Sequence, residues 1–336
     1  MLNHALIATL ALFGLGGAAS ADLDTSGRWS EAAVRPVDAP VRSSSPFGLS
    51  DAAGGEAPPQ AASVDFYPAV GASAGNPAPA AILLHGAGGV SGNREGRYAR
   101  ELAGQGVAVA VIDVFGPRAG GGFIERLMTT TEAMALADAF ATLAWLDGRP
   151  DVDAGRTALI GFSYGGMSSI YAAYRQVVDT YAPPLPFAAH VSFYGPCVAR
   201  FSDPTTTGAP VLMLWGEQDA IMDPEACGAL ADDLRAGGSD VTVRRYDARH
   251  RWDGASRQWR APTHIADCRF TVGPDNTVRD DFSALPMVNA ATRATILALC
   301  ANRDGYLIGG DEAVRVRSNA DLATFLNPIL FPRAAD

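Results

Sequence analysis

Residues 157–174 read TALIGFSYGGMSSIYAAY: four residues of strand character, a Gly-Phe-Ser-Tyr-Gly-Gly turn, then a run of helical composition. A serine held between a buried strand and a helix constrains the fold more than any other feature of the chain. It calls for an open α/β sheet whose ligands collect at the carboxyl ends of parallel strands. The string G-x-S-x-G alone decides nothing, because the chain contains it twice and a motif acquires meaning only in its structural context. Ser73, in Gly-Ala-Ser-Ala-Gly, lies in the Gly/Pro/Ala-rich turn between SVDFYPAV and AAILLHG, with no helix behind it. Only Ser163 has a strand before it and a helix after it.

The surrounding pattern agrees. Beyond AAILLHG, RYARELAGQG reads as a helix, VAVAVIDV as a strand and TTTEAMALADAFATLAWLDG as a long amphipathic helix. A helix over 167–178 follows the serine, then the strands HVSFYG and VLMLWG, the helix PEACGALADDLRAGG and the strand VTVRRY. Several strands are continuous apolar runs, as parallel strands buried on both faces are. The expectation is an α/β core over 63–254 with a mostly parallel central sheet and helices on both faces. Residues 22–62, rich in Ala, Pro, Ser and Gly, read as an extended lead-in. Residues 255–336 form a C-terminal extension packed on the core, with a hairpin around Pro274-Asp275-Asn276 and a placement that suits a partial lid.

Residues 1–21 carry no acidic or basic side chain and end in Ala19-Ser20-Ala21, a small-x-small pattern typical of signal-peptide cleavage. The apolar run is shorter than the roughly 20 residues a bilayer span needs, so a periplasmic or secreted protein is expected rather than an anchored one. In such a compartment Cys197, Cys227, Cys268 and Cys300 form disulfides. Cys197 follows HVSFYG and Cys227 opens the helix after VLMLWG, segments that flank neighbouring strands; the expected pairs are therefore Cys197–Cys227 and Cys268–Cys300. The formal charge of −10, with no basic stripe, argues against nucleic acid and anionic membrane as partners. All 26 basic residues are Arg, which excludes Schiff-base chemistry on a lysine.

A serine hydroxyl needs an imidazole to take its proton, and in this kind of sheet the partners follow in the order serine, acid, histidine. His250, in YDARHRWDG directly after the last core strand, is the expected base; His264 is the other candidate and reads as a packing histidine. The acid comes from GEQDAIMDP. Asp219 stands a few residues past the strand, whereas Asp223 before Pro224 reads as a helix N-cap, with a role as the acid kept as second choice. Tyr164 N–H, just after the serine, and Ala87 N–H in HGAGG, or Gly88 N–H beside it, are the expected oxyanion donors. Phe115, Arg118, Trp215 and Trp252 lie at strand ends near the site and are expected to line a substrate pocket, with Arg118 either holding a substrate carboxylate or making an internal salt bridge. No cofactor or metal is called for, since the tail's acidic turn lacks the ligand spacing of a calcium loop.

LLHGAGG, VIDVFGPR, GFSYGG, LWGEQDAIMDP and YDARHRWD, spread over 64–253, together resemble the dienelactone hydrolase branch of the α/β-hydrolases. Dienelactone hydrolases proper carry cysteine in the elbow and glutamate directly after the early strand, where this chain has Ser163 and Gly86. The resemblance implies an α/β-hydrolase fold, the Ser163–Asp219–His250 triad and hydrolysis of a small-molecule ester or lactone by an exported serine enzyme. Two other readings stay open: a noncatalytic binding protein on a hydrolase fold, and an esterase acting on lipid or polymer esters.

Overall fold

A computed structural model describes residues 22–118, 122–254 and 257–333; the expected signal segment, 1–21, lies outside them. Eight strands form the central sheet: β1 (Val37–Asp38), β2 (Ser63–Tyr67), β3 (Ala78–Leu84), β4 (Ala108–Asp113), β5 (Val152–Phe162), β6 (Ala189–Phe193), β7 (Val211–Gly216) and β8 (Val241–Tyr246). Their order across the sheet is β1-β2-β4-β3-β5-β6-β7-β8. Only β2 runs against its neighbours; every pairing from β4 to β8 is parallel. Every residue of β3, β6 and β7 is buried, which is why these strands read as unbroken apolar runs. Towards the edge, β2 shows alternation at its start.

The covering helices are α1 (Glu95–Gly104), α2 (Phe123–Thr129), α3 (Glu132–Asp147), α4 (Tyr164–Tyr171), α5 (Pro224–Ala236), α6 (Ala290–Cys300) and α7 (Glu312–Leu330). Helix α5 starts where its sequence says it should, with Asp223 Oδ1 accepting the N–H groups of Glu225 and Ala226 and Pro224 in the first turn. Helix α3 departs from expectation. It is buried nearly all round rather than amphipathic, because the lead-in covers its outer side: the Arg118 guanidinium bonds the Asp138 carboxylate of α3 at 2.6 and 3.0 Å and also reaches Ser44 O and Ser45 Oγ. The helix expected over 167–178 is two, Tyr164–Tyr171 and Arg175–Tyr181.

The C-terminal residues extend the architecture at its rim. Phe270–Val272 and Val278–Asp280 form the expected hairpin, and Phe270–Val272 also pairs in parallel with Ala199–Phe201. Tyr306–Ile308 pairs with Trp259–Ala261. Helix α7 buries Leu322, Leu326 and Leu330 completely. It also holds the start of the described chain: Leu23 N–H donates to Asn327 Oδ1 at 2.7 Å and Asn327 Nδ2 donates to Leu23 O at 3.0 Å. Gly27, at φ 70°, lies so close to α7 that a Cβ there would stand 1.9 Å from Val316 O. The four cysteines pair as Cys197–Cys227 and Cys268–Cys300.

Candidate active site

Ser163 ends β5 and caps α4 with φ 54° and ψ −111°, a backbone state that costs a non-glycine residue of order 1–3 kcal/mol and persists only when its surroundings impose it. They do. Ser163 N–H donates to Phe193 O at 2.8 Å and Gly165 N–H to His85 O at 3.1 Å, which ties the turn to β6 on one side and to the end of β3 on the other. The flanking glycines keep negative φ; they are needed for space. A Cβ on Gly161 would meet Gly165 O at 1.9 Å and one on Gly165 would meet Leu84 O at 2.3 Å.

The outcome is a side chain aimed at an imidazole. His250 Nε2 lies 3.0 Å from Ser163 Oγ, and His250 Nδ1 lies 2.7 Å from Asp219 Oδ2. Asp219 follows β7 in a tight turn, and its other oxygen accepts the Ile221 N–H at 3.1 Å. With the carboxylate as acceptor, Nδ1 carries the proton and Nε2 is free to accept one from the serine. Asp223 is occupied as the α5 cap and in an ion pair with Arg269. His264 is not brought to the serine hydroxyl; its Nδ1 accepts the Ala266 N–H while its side chain faces the same cavity as Ser163.

The HGAGG loop stands against the elbow: a Cβ on Gly86 would lie 3.4 Å from Ser163 Cβ. No described residue accepts from the N–H of Ala87 or of Tyr164, and both residues line the cavity with Ser163. Two residues outside the expected set organise this region. His85, wholly buried, accepts the Val114 N–H on Nε2 at 3.0 Å and so donates through Nδ1 to Gly86 O at 2.7 Å, clamping the loop to the segment after β4. Tyr194, at φ 42°, packs its ring edge-to-face on His250 with centroids 4.7 Å apart, and its hydroxyl donates to Asp253 Oδ1 at 2.5 Å. Burial pushes the Asp253 carboxyl up from its ordinary value. The only signal for Tyr194 in the sequence is its position directly after the strand that neighbours the elbow.

The four residues expected to line the pocket do not reach it. Arg118 takes the other role expected of it, an internal salt bridge, with Asp138, and also holds the lead-in. Trp215 is buried in β7 under the Arg245 guanidinium. Trp252 is buried with its indole N–H on Ser318 Oγ. Phe115 is buried against His85 and Tyr164 and supports the site from behind. The cavity itself measures about 250 Å³ and is predominantly apolar, with walls from the lead-in, α2, α3, α4 and the C-terminal residues.

The strand order, with one antiparallel strand and a strained serine at the end of the fifth, defines an α/β-hydrolase. The model of the dienelactone hydrolase family matches residues 66–264, more than half of the chain, and the protein belongs to that family of hydrolases. Among solved structures, a dienelactone hydrolase-like promiscuous phosphotriesterase from metagenomic libraries is similar at 22% identity and a TM-score of 0.50, covering 65% of this chain and 84% of its own; that likeness shows the fold. A Klebsiella pneumoniae protein assigned to the same family has 23% identity, a TM-score of 0.46 and coverage of 57% and 82%. A butyrate-bound thermophilic esterase from Thermogutta terrifontis has 15% identity, a TM-score of 0.45 and coverage of 59% and 82%. No curated protein matches the chain.

Proposed function

We propose that the protein is an exported serine hydrolase that cleaves a carboxylic ester or lactone through an acyl-enzyme on Ser163. The observation that carries this reading is the relay of 3.0 Å from Ser163 Oγ to His250 Nε2 and 2.7 Å from His250 Nδ1 to Asp219, beside two backbone N–H groups without acceptors among the described residues. Ser163 Oγ attacks the ester carbonyl carbon as His250 Nε2 takes its proton. The Tyr164 and Ala87 N–H groups hold the oxyanion, and Asp219 keeps the imidazole in the accepting tautomer and stabilises its charged form. Collapse of the intermediate breaks the carbonyl carbon–alkoxide bond as His250 returns the proton to the leaving alcohol. Water, deprotonated by the same imidazole, then releases the acid. Two disulfides support export, since such bonds persist in oxidising compartments.

Labelling with a fluorophosphonate followed by peptide mapping tests the reading. Ser163 should carry the label and Ser163→Ala should lose at least about 10³-fold in p-nitrophenyl acetate hydrolysis. A label on another serine, or retained turnover in the variant, refutes it.

A further inference from the structure

The cavity beside Ser163 is walled by Leu49 of the lead-in, Leu127 of α2, Met167 of α4 and, from the C-terminal residues, Ile265 and Leu297. Two oppositely charged side chains reach it, Glu132 and Arg293, and each is consumed by the other. Arg293 Nη1 lies 2.9 Å from Glu132 Oε2 and Nη2 lies 3.0 Å from Oε1, while Nε donates to Leu127 O at 2.9 Å and Nη1 also meets Met287 Sδ at 3.5 Å. Among the described residues the remaining ionisable wall groups are His264, whose Nδ1 accepts the Ala266 N–H, and the phenols of Tyr164, Tyr171 and Tyr306. An anionic group entering here would find the guanidinium already paired and the Glu132 carboxylate nearby, and neutral donors such as the Tyr164 hydroxyl, buried without a partner among the described residues, would not offset the loss of water around a full charge. A neutral apolar group would be stabilised in proportion to the surface it hides, about fourfold in affinity per buried methylene.

We infer, building on the assignment of Ser163 as nucleophile, that this cavity is the binding site for an uncharged hydrophobic arm of the ester. The enzyme therefore prefers neutral esters with a medium-length alkyl or an aryl arm over short-chain and carboxylate-bearing ones. The Glu132–Arg293 pair joins α3 to α6 across the cavity, and the Cys268–Cys300 bridge ties α6 to the segment just before Phe270–Val272, the strand that pairs with Ala199–Phe201 of the core.

Calorimetric titration of Ser163→Ala, which does not turn substrate over, separates binding from catalysis. Three probes suffice: methyl octanoate, methyl butyrate, and monomethyl suberate, which matches the octanoate in length but ends in a carboxylate. Methyl octanoate should bind at least about tenfold tighter than either of the others. Equal affinity for octanoate and butyrate, or a suberate ester that binds as tightly as octanoate, overturns the inference. Introducing Leu297→Trp into the same chain fills the cavity, and octanoate affinity should fall at least about tenfold with the near-ultraviolet dichroism retained; an unchanged affinity also overturns it. Because no turnover is measured, a failed fluorophosphonate label refutes the nucleophile and leaves this result to stand or fall alone.

Discussion

Replacing Gly165 with alanine adds one methyl group at the point where the elbow touches β3. That Cβ would lie 2.3 Å from Leu84 O, 2.6 Å from Leu84 C and 2.7 Å from Leu84 Cβ, where real contacts hardly ever fall below 3.0 Å. The difference, 3.0 − 2.3, means the two segments must part by at least about 0.7 Å. Leu84 is fully buried in a strand paired on both sides, so β3 holds and α4 moves. The movement carries Ser163 Oγ and Tyr164 N–H away from His250 and from the oxyanion. A misplacement approaching 1 Å costs on the order of 10²-fold in rate, and overpacking of this kind costs about 1–3 kcal/mol of stability. Steady-state hydrolysis of p-nitrophenyl acetate should show kcat reduced about 10²-fold, and urea unfolding a lower midpoint. Gly228→Ala is the control: it lies within α5 with nothing within 4 Å of its added Cβ, and the same chemical change should there be neutral or slightly stabilising. If Gly165→Ala kept kcat within about twofold with an unshifted midpoint, the steric account of the elbow would be wrong.

Asp219→Asn leaves the shape of the relay but no longer fixes the accepting tautomer of His250, and kcat should fall on the order of 10³–10⁴-fold with the unfolding midpoint little changed; a variant within tenfold of the parent removes Asp219 from the relay. His190 is wholly buried and desolvation lowers its pKa from 6.5 to about 4. The unfolded chain therefore binds a proton that the folded chain refuses between those values. Stability falls as pH drops through that window, by about 2 kcal/mol between pH 8 and pH 5. Urea midpoints of His190→Leu should lose that portion of the acid dependence, and parallel curves for parent and variant would refute the assignment. The Cys197–Cys227 bridge spans 30 residues that include Asp219, so converting both cysteines to serine should remove about 4 kcal/mol by the chain-entropy estimate and lower kcat as well; an unchanged thermal midpoint excludes a stabilising bridge.

The relay was legible in the sequence because its members are placed by strand ends, and strand ends can be read from apolar runs and glycine turns. Ser163 and Asp219 each follow the buried apolar end of a strand, His250 follows the half-exposed edge strand VTVRRY, and the order of those strands fixes which loops meet. The pocket was not legible for the complementary reason. Proximity to a strand end does not say which way a side chain points, and Phe115, Trp215 and Trp252 turn into the core. Arg118 turns to Asp138, a partner 20 residues away whose charge the composition hides inside a helix. The true walls join residues as distant as Glu132 and Arg293, 161 positions apart, and no local pattern encodes that meeting. At the elbow Ser163 bears the strain, and the glycines admit a neighbouring backbone.

The clasp between Leu23 and Asn327 bears on the order in which the molecule can be assembled. Gly27 and Leu23 dock on a helix that is the last element of the described chain to leave the ribosome, so these two residues, unlike β1 and Ser44–Ser45 further along the lead-in, have no surface to settle on while the sheet is being made. They are ordered late, after the C-terminal helix has packed. Until then the first residues of the described chain remain accessible to whatever handles a nascent polypeptide, and closing the clasp marks the completion of the fold. The same adjacency makes the two ends of the described chain natural points for circular permutation: a short linker between them, with new termini opened in the turn that contains Ser73, would leave every strand of the sheet in its place.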